Sequence, residues 1–142
     1  MPMRPEATIE WARKRGAGHL PALLGFHVVA VEESGIEAEI AIRPELLAPN
    51  GYLHAAVVMA LADTAAGYGC WAHLPHGASG FTTIEIKTNF IGTARSGVIA
   101  CVARPAHLGN TTHVWDASVF RRGDDKTIAL FRCTQMILYP KP

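Results

Sequence analysis

Hydrophobic and polar positions alternate in three different ways along this chain. Residues 6–15 (EATIEWARKR) set Ile9, Trp11 and Ala12 among charges, the pattern of a short amphipathic helix at a domain edge. Gly16-Ala17-Gly18 ends it, and His19 to Leu24 allow one further helical turn closed by Gly25. Phe26 to Glu33 are rich in β-branched residues. After the Ser34-Gly35 turn, IEAEIAI alternates with period two, with Ile36, Ala38, Ile40 and Ile42 on one face and Glu37 and Glu39 on the other. That is a hairpin with one wet face. Asn50-Gly51 then opens NGYLHAAVVMALADTAAGYGCW, a run of small and apolar residues that predicts a helix buried on all sides. Its length and its more polar second half argue against a membrane span. Four strand-like segments follow, at 80–91, 97–105, 111–121 and 126–138, read as a four-strand meander. The order β-β-α-β-β-β-β predicts an α+β fold in which a curved antiparallel sheet wraps one long central helix.

Composition narrows the function classes. The chain of 142 residues is expected to be one domain, 1–142, with a short N-terminal helical extension over about 1–24. A net charge of +1 gives no reason to expect nucleic acid or a membrane surface as partner. Cys70, Cys101 and Cys133 are scattered among apolar residues and read as reduced core thiols, which points to the cytoplasm. The first sixteen residues contain no apolar signal core. His73-x-x-His76 lacks a third ligand, so no metal is expected, and no dinucleotide, phosphate-loop or serine-nucleophile motif occurs.

Three features carry chemistry. Asp63 is a carboxylate inside an apolar helix, a costly placement unless the group is paired or used. Asn50-Gly51-x-x-His54-Ala55 leads into that helix, and unpaired amides at a helix start suit a developing oxyanion. The His107-Leu108-Gly109-Asn110-Thr111 turn offers amides and hydroxyls to polar ligand groups. Ala55 and Asp63 are separated by roughly 12 Å along one helix and about 80° around it. A carboxylate and an oxyanion site must converge on one reacting atom. Two helices facing each other across a two-fold axis meet that condition, so a homodimer is expected as the smallest active unit.

The segment NGYLHAAVVMALADTAAG, 50–67, resembles the helix motif of hotdog-fold acyl-CoA thioesterases of the PaaI and 4-hydroxybenzoyl-CoA thioesterase type. The stretch ARPAHLGNTTHVWDASVF, 103–120, resembles the matching strand–turn–strand of 1,4-dihydroxy-2-naphthoyl-CoA hydrolases in the same superfamily. The resemblance spans roughly 22–138. It implies the hotdog fold and hydrolysis of aromatic or medium-chain acyl-CoA without a cofactor, by a homodimer expected to assemble into a homotetramer. Asp63 would be the catalytic carboxylate, as general base or nucleophile. The Ala55 amide would polarise the thioester carbonyl, and His54 would support that turn. Thr83 would lie near the reacting carbonyl, while Phe90 and the 107–112 turn, with His107, Gly109, Asn110 and Thr111, would line the CoA site. The family's His-Gly-Gly is His54-Ala55-Ala56 here. The usual Asn or Gln before the His falls on Ala48, so Asn50 is the candidate to position water, and Gly67 stands where aryl-CoA enzymes often carry a hydroxyl. The alternative is a non-catalytic hotdog module that binds acyl-CoA or another apolar ligand.

Overall fold

The computed structural model describes all residues from Met1 to Pro142. Two short helices come first, α1 (Ile9–Arg15) and α2 (Leu20–Leu24). Thr8 caps α1 by accepting the Trp11 amide, and Gly25 closes α2 in the left-handed conformation that glycine adopts without strain. The hairpin β1 (His27–Glu32) and β2 (Gly35–Ala41) precedes the central helix α3 (Ala55–Ala72). Strands β3 (Gly80–Phe90), β4 (Val98–Leu108), β5 (Thr112–Arg121) and β6 (Thr127–Leu138) complete the chain. All six strands form one antiparallel sheet in the order β1-β2-β4-β5-β6-β3. Its concave face wraps α3, which is the hotdog arrangement expected from the element order.

Two expectations need correction. The last four strands are not a simple meander. β4, β5 and β6 are, but β3 crosses to the far edge and pairs only with β6, leaving β4 to pair with β2. Nothing local in β3 decides between these neighbours. Strand β4 also runs three residues beyond Pro105, to Leu108. A register shift between Pro105 and His107 accommodates the missing proline donor, as bulges do.

The core lies between α3 and the sheet. Ile36, Ala38 and Ile40 of β2, Ile99 and Cys101 of β4, Trp115 and Val119 of β5 and Ile128, Phe131 and Cys133 of β6 face Val58, Leu61, Ala62 and Ala65. Gly69 is where the sheet comes closest. A Cβ there would sit 2.5 Å from two ring carbons of the fully buried Trp115, so only glycine lets the indole lie against the helix. The C-terminal end of α3 is closed by the N-terminal segment. The Arg4 amide donates to Ala72 O at 2.7 Å, and the Arg4 guanidinium lies over the Trp71 ring. A cation at that end also favours the helix dipole.

The helix is not buried on all sides. Ala56 is exposed, and Ala60, Asp63, Thr64, Gly67 and Trp71 are half-buried, which leaves one stripe of α3 open. By length and composition alone α3 reaches the range of a membrane span, contrary to the reading above. Its packing inside the sheet is what accounts for its apolar character. Strand β3 is similarly bare. Its inward-facing Ile86 and Phe90 and the bulged Ile84 are exposed.

Candidate active site

The segment before α3 is tied down amide by amide. Ala48 N–H donates to Tyr52 O at 2.7 Å, Leu53 N–H to Ala94 O at 2.9 Å and His54 N–H to Leu46 O at 3.0 Å. Gly51 takes φ +86°, and the Asn50 side chain accepts the Tyr52 amide at 3.1 Å. His54 is the N-cap of α3. Its Nδ1 accepts the Ala56 amide at 2.9 Å and its carbonyl accepts the Val57 amide at 3.0 Å. Those two bonds leave the Ala55 amide without an acceptor in the chain. The first turn carries no acidic residue, so the positive end of the helix dipole is uncompensated there. The arrangement makes Ala55 N–H a free, fixed donor at an exposed helix start.

Two turns further along, Asp63 lies on the open stripe of α3. One carboxylate oxygen, Oδ1, is buried without a hydrogen-bond partner, and burial pushes the carboxyl pKa above its ordinary 3.8. The side chain opens into a cleft of about 240 Å³ shared with Arg15, Pro21, Thr64, Gly67, Tyr68, Phe81 and Thr83. Asp63 and Thr83, singled out separately in the sequence, therefore share one cavity. A bulge in β3 between Thr83 and Glu85 shapes the strand at this point.

Thr83 is held from behind. Its hydroxyl donates to Gln135 Oε1 at 2.7 Å, and Gln135 Nε2 donates to Cys133 Sγ at 3.3 Å. Gln135 is fully buried. Since the proton of Thr83 is committed to Gln135, its oxygen offers only lone pairs to the cleft. Burial pushes the Cys133 thiol up to about 12, with the negative charge of Asp63 adding to the effect, so this sulfur is no nucleophile at neutral pH. Behind Trp115 lies a second polar group. His113 Nδ1 is 3.4 Å from Cys70 Sγ, and burial, with His73 and His107 nearby, lowers the His113 pKa to about 4. Of the His73/His76 pair, His73 is buried with Nδ1 bonded to Gly69 O and His76 is exposed.

The remaining candidates lie elsewhere. Phe90 is at the far end of β3, seven residues and roughly 23 Å from Thr83, outside the cleft of its own protomer. His107 belongs to strand β4, not to a turn. The hairpin beyond it uses its own polar groups: Gly109 N–H donates to Thr112 O, Asn110 O accepts the Tyr139 hydroxyl and Thr111 O accepts the Ile137 amide. The Gly109 amide expected to face a ligand is thus occupied inside the hairpin, while His107, Asn110 and Thr111 are exposed to solvent. Asn50 similarly spends its oxygen on the turn and keeps only its amide nitrogen free. Arg15, Tyr68, Phe81 and Gln135 were not anticipated. Gln135 is visible in retrospect as the one polar residue among the inward positions Ala129, Phe131, Cys133 and Ile137 of β6.

The chain is similar to known thioesterases in sequence and in fold. The chain is 30% identical to ComA2 of Bacillus subtilis (strain 168) over 118 residues, covering 81% of this chain and 90% of that protein. It is 27% identical over 115 residues to 1,4-dihydroxy-2-naphthoyl-CoA hydrolase of Listeria monocytogenes serotype 1/2a (strain 10403S), covering 81% of this chain and 92% of that one. The crystal structure of thioesterase HI1161 from Haemophilus influenzae superposes with a TM-score of 0.90 at 25% identity, covering 98% of this chain and 96% of that chain. Residues 50–128, from the Asn50 turn through the first residues of β6, match the sequence profile of the thioesterase superfamily, and the chain belongs to that family.

Proposed function

We propose that this thioester hydrolase acts on acyl-CoA esters with an aromatic or medium-chain acyl group, releasing the free acid and CoA. The observation that carries this reading is Asp63: a half-buried carboxylate with an unpartnered oxygen, in a cleft whose far wall is Thr83. Asp63 acts on the thioester carbonyl either as general base for water or as nucleophile. In the first case the carboxylate takes a proton from water as the oxygen bonds to the carbonyl carbon. The C–S bond then breaks and the thiolate leaves with that proton. The Ala55 amide holds the oxyanion. The His54 ring keeps the turn in place by bonding the next amide, and the free amide nitrogen of Asn50 is available to orient water. His107, Asn110, Thr111 and Phe90 are assigned to the CoA portion.

A homodimer is the smallest active unit in this reading. The open stripe of α3, the bare inner face of β3 with Ile86 exposed by 37% and Phe90 by 46%, and the unpaired edge of β3 support it. A second copy seated there brings its Ala55 amide toward Asp63. Further assembly to a homotetramer is supported by Leu130, Met136 and Leu138 exposed on the convex face of β6. The three cysteines are free and buried, with burial pushing each pKa up to about 12, which supports a reducing, cytoplasmic setting.

Thiol release from a panel of acyl-CoA esters, followed with a chromogenic thiol reagent, tests the proposal. Asp63→Asn is expected to lower kcat by at least about a hundredfold with retained fold, in line with loss of a positioned acid–base group. The wild-type rate is expected to rise with pH through the raised pKa of Asp63, because the ionised form is the active one. An Asp63→Asn variant that turns over at the wild-type rate overturns the assignment.

A further inference from the structure

The cleft that holds Asp63 has a second, oppositely charged end. We infer that Arg15 and Tyr68 read the distal end of the acyl group, and that the preferred substrate is an aryl thioester carrying an anionic substituent, such as a carboxylate, on the ring. This inference rests on the acyl-CoA reading above and adds the class of acyl group.

Arg15 shares with Arg95 a guanidinium stacked on aromatic rings without a hydrogen bond, but Arg15 lines the Asp63 cleft and Arg95 does not. Arg13, two residues earlier on α1, gives its guanidinium to Val28 O and lies against His27. Arg121, Arg122 and Arg132 are paired with carboxylates. Arg15 has no acidic partner and no hydrogen bond. It is held instead by stacking, 5.1 Å from the ring centres of both Trp11 and Trp71, which are themselves stacked at 4.1 Å. Cation–π contact fixes a guanidinium without neutralising it and leaves its N–H donors free. The Tyr68 hydroxyl next to it also has no acceptor in the chain. Arg15 and Tyr68 both line the Asp63 cleft, and neither has its donors bonded within the chain.

The two ends are distinct. Burial raises the Tyr68 pKa and the Arg15 charge draws it back down, so the guanidinium stands beside Tyr68. The shift of Asp63 arises from burial, without a counteracting cation. Tyr68 lies five residues beyond Asp63 on α3, about 7.5 Å along the axis and about 140° around it, and Trp71 about 12 Å along and about 80° around. That interval suits one aromatic ring with a substituent opposite the thioester. Gly67 and Phe81 lie between the ends, and a Cβ on Gly67 would come 3.4 Å from Phe81 Cζ, so the absent side chain keeps the channel open for a flat ring. A carboxylate at the far end can accept the guanidinium fork and the phenol together.

The test compares 4-carboxybenzoyl-CoA with 4-carbamoylbenzoyl-CoA, which has the same shape without the charge. Wild type is expected to favour the carboxylate by about tenfold in kcat/KM, mostly through KM, the scale of one charge-assisted hydrogen bond. Arg15→Gln is expected to bring the ratio near one and Arg15→Lys to retain most of it, with circular dichroism confirming each fold. Binding of the same two esters to Asp63→Asn, read by Trp11 and Trp71 fluorescence, should show the same ratio without turnover. Equal values for the two esters in wild type, or a ratio unchanged in Arg15→Gln, overturns the inference. If both esters are cleaved equally in an Asp63-dependent way, thioester hydrolysis stands and only the role of Arg15 falls. If neither is cleaved, the fluorescence ratio alone decides for or against Arg15.

Discussion

Replacing Gly69 with alanine tests how tightly the site's helix is set on the sheet. Alanine is the better helix former by about 0.5–1 kcal/mol, so propensity alone predicts stabilisation. The structure predicts the reverse. The new Cβ would lie 2.5 Å from Trp115 Cη2 and Cζ3 and 3.1 Å from Cε3. Carbon atoms in contact prefer about 3.5–4.0 Å, so the helix and the indole must part by roughly 1 Å. Trp115 is fully buried, with His73 packed beside it at 5.6 Å between ring centres, and has little room to retreat. Overpacking of this kind costs about 1–3 kcal/mol, and the two short contacts place it at the upper end. Subtracting the propensity gain leaves a net loss of about 2 kcal/mol, near 5 °C in Tm for a chain of this size. Urea unfolding followed by far-UV circular dichroism measures it. Trp115→Phe removes the ring carbons that collide, so Gly69→Ala together with Trp115→Phe should be more stable than the two separate losses added, by about 1 kcal/mol or more. A Gly69→Ala protein as stable as wild type, or a double variant whose losses simply add, refutes the close approach. Movement of α3 by 1 Å also carries Asp63, so kcat is expected to fall by up to about a hundredfold.

Two further outcomes follow from buried polar groups. Thr83→Val removes the hydroxyl that donates to Gln135 and leaves a buried acceptor unpaired, at a cost of about 1–3 kcal/mol. Adding Gln135→Leu should recover part of that loss in urea unfolding. His113 is neutral in the fold, with its pKa lowered from 6.5 to about 4 by burial and by its histidine neighbours. Above pH 6.5 neither state holds the proton. Between 6.5 and 4 the unfolded chain takes it up and the fold does not, so stability drops as the pH is lowered, by up to about 1.4 kcal/mol per pH unit. Stability curves from pH 7.5 to 4.5 should show this slope in wild type and a shallower one in His113→Gln.

Much of the fold was legible because it is written in local periodicity. The alternation from Ile36 to Ile42 placed Ile36, Ala38 and Ile40 in the core, where all three are fully buried. The small-residue run gave α3, and Asp63 was identifiable because a carboxylate there violates the pattern around it. Strand β3 was misplaced because its neighbour is chosen by contacts far apart in the chain, and both β4 and β6 offer a compatible antiparallel partner. The end of β4 was cut short because proline was read as a terminator, whereas a bulge absorbs it. The open stripe of α3 was missed because Ala56, Ala60 and Gly67 are as apolar as the residues that are buried. Arg15 was unreadable for another reason. Its meaning depends on α1 folding back over Trp71, a contact between the two ends of a segment more than fifty residues long.

In the proposed mechanism, the groups that hydrolysis uses are ones that folding leaves unsatisfied. A buried carboxylate oxygen without a donor lowers stability, and α3 carries it on its uncovered stripe, while the Ala55 amide at the exposed start of the helix is left to solvent. Inside one protomer neither can relieve the other, because the helix axis holds them roughly 12 Å apart. The sheet repeats the pattern: β3 has an unpaired edge and bare apolar side chains on the same side of the molecule. In the proposed dimer, burial of that surface by a second copy removes the apolar cost. In the proposed mechanism a polarised carbonyl with water at its side fits between Asp63 and Ala55. Stability given up at Asp63 is thus retained as a disposition to bind and attack such a group, which is why Asp63→Asn should be the more stable and the less active protein at neutral pH.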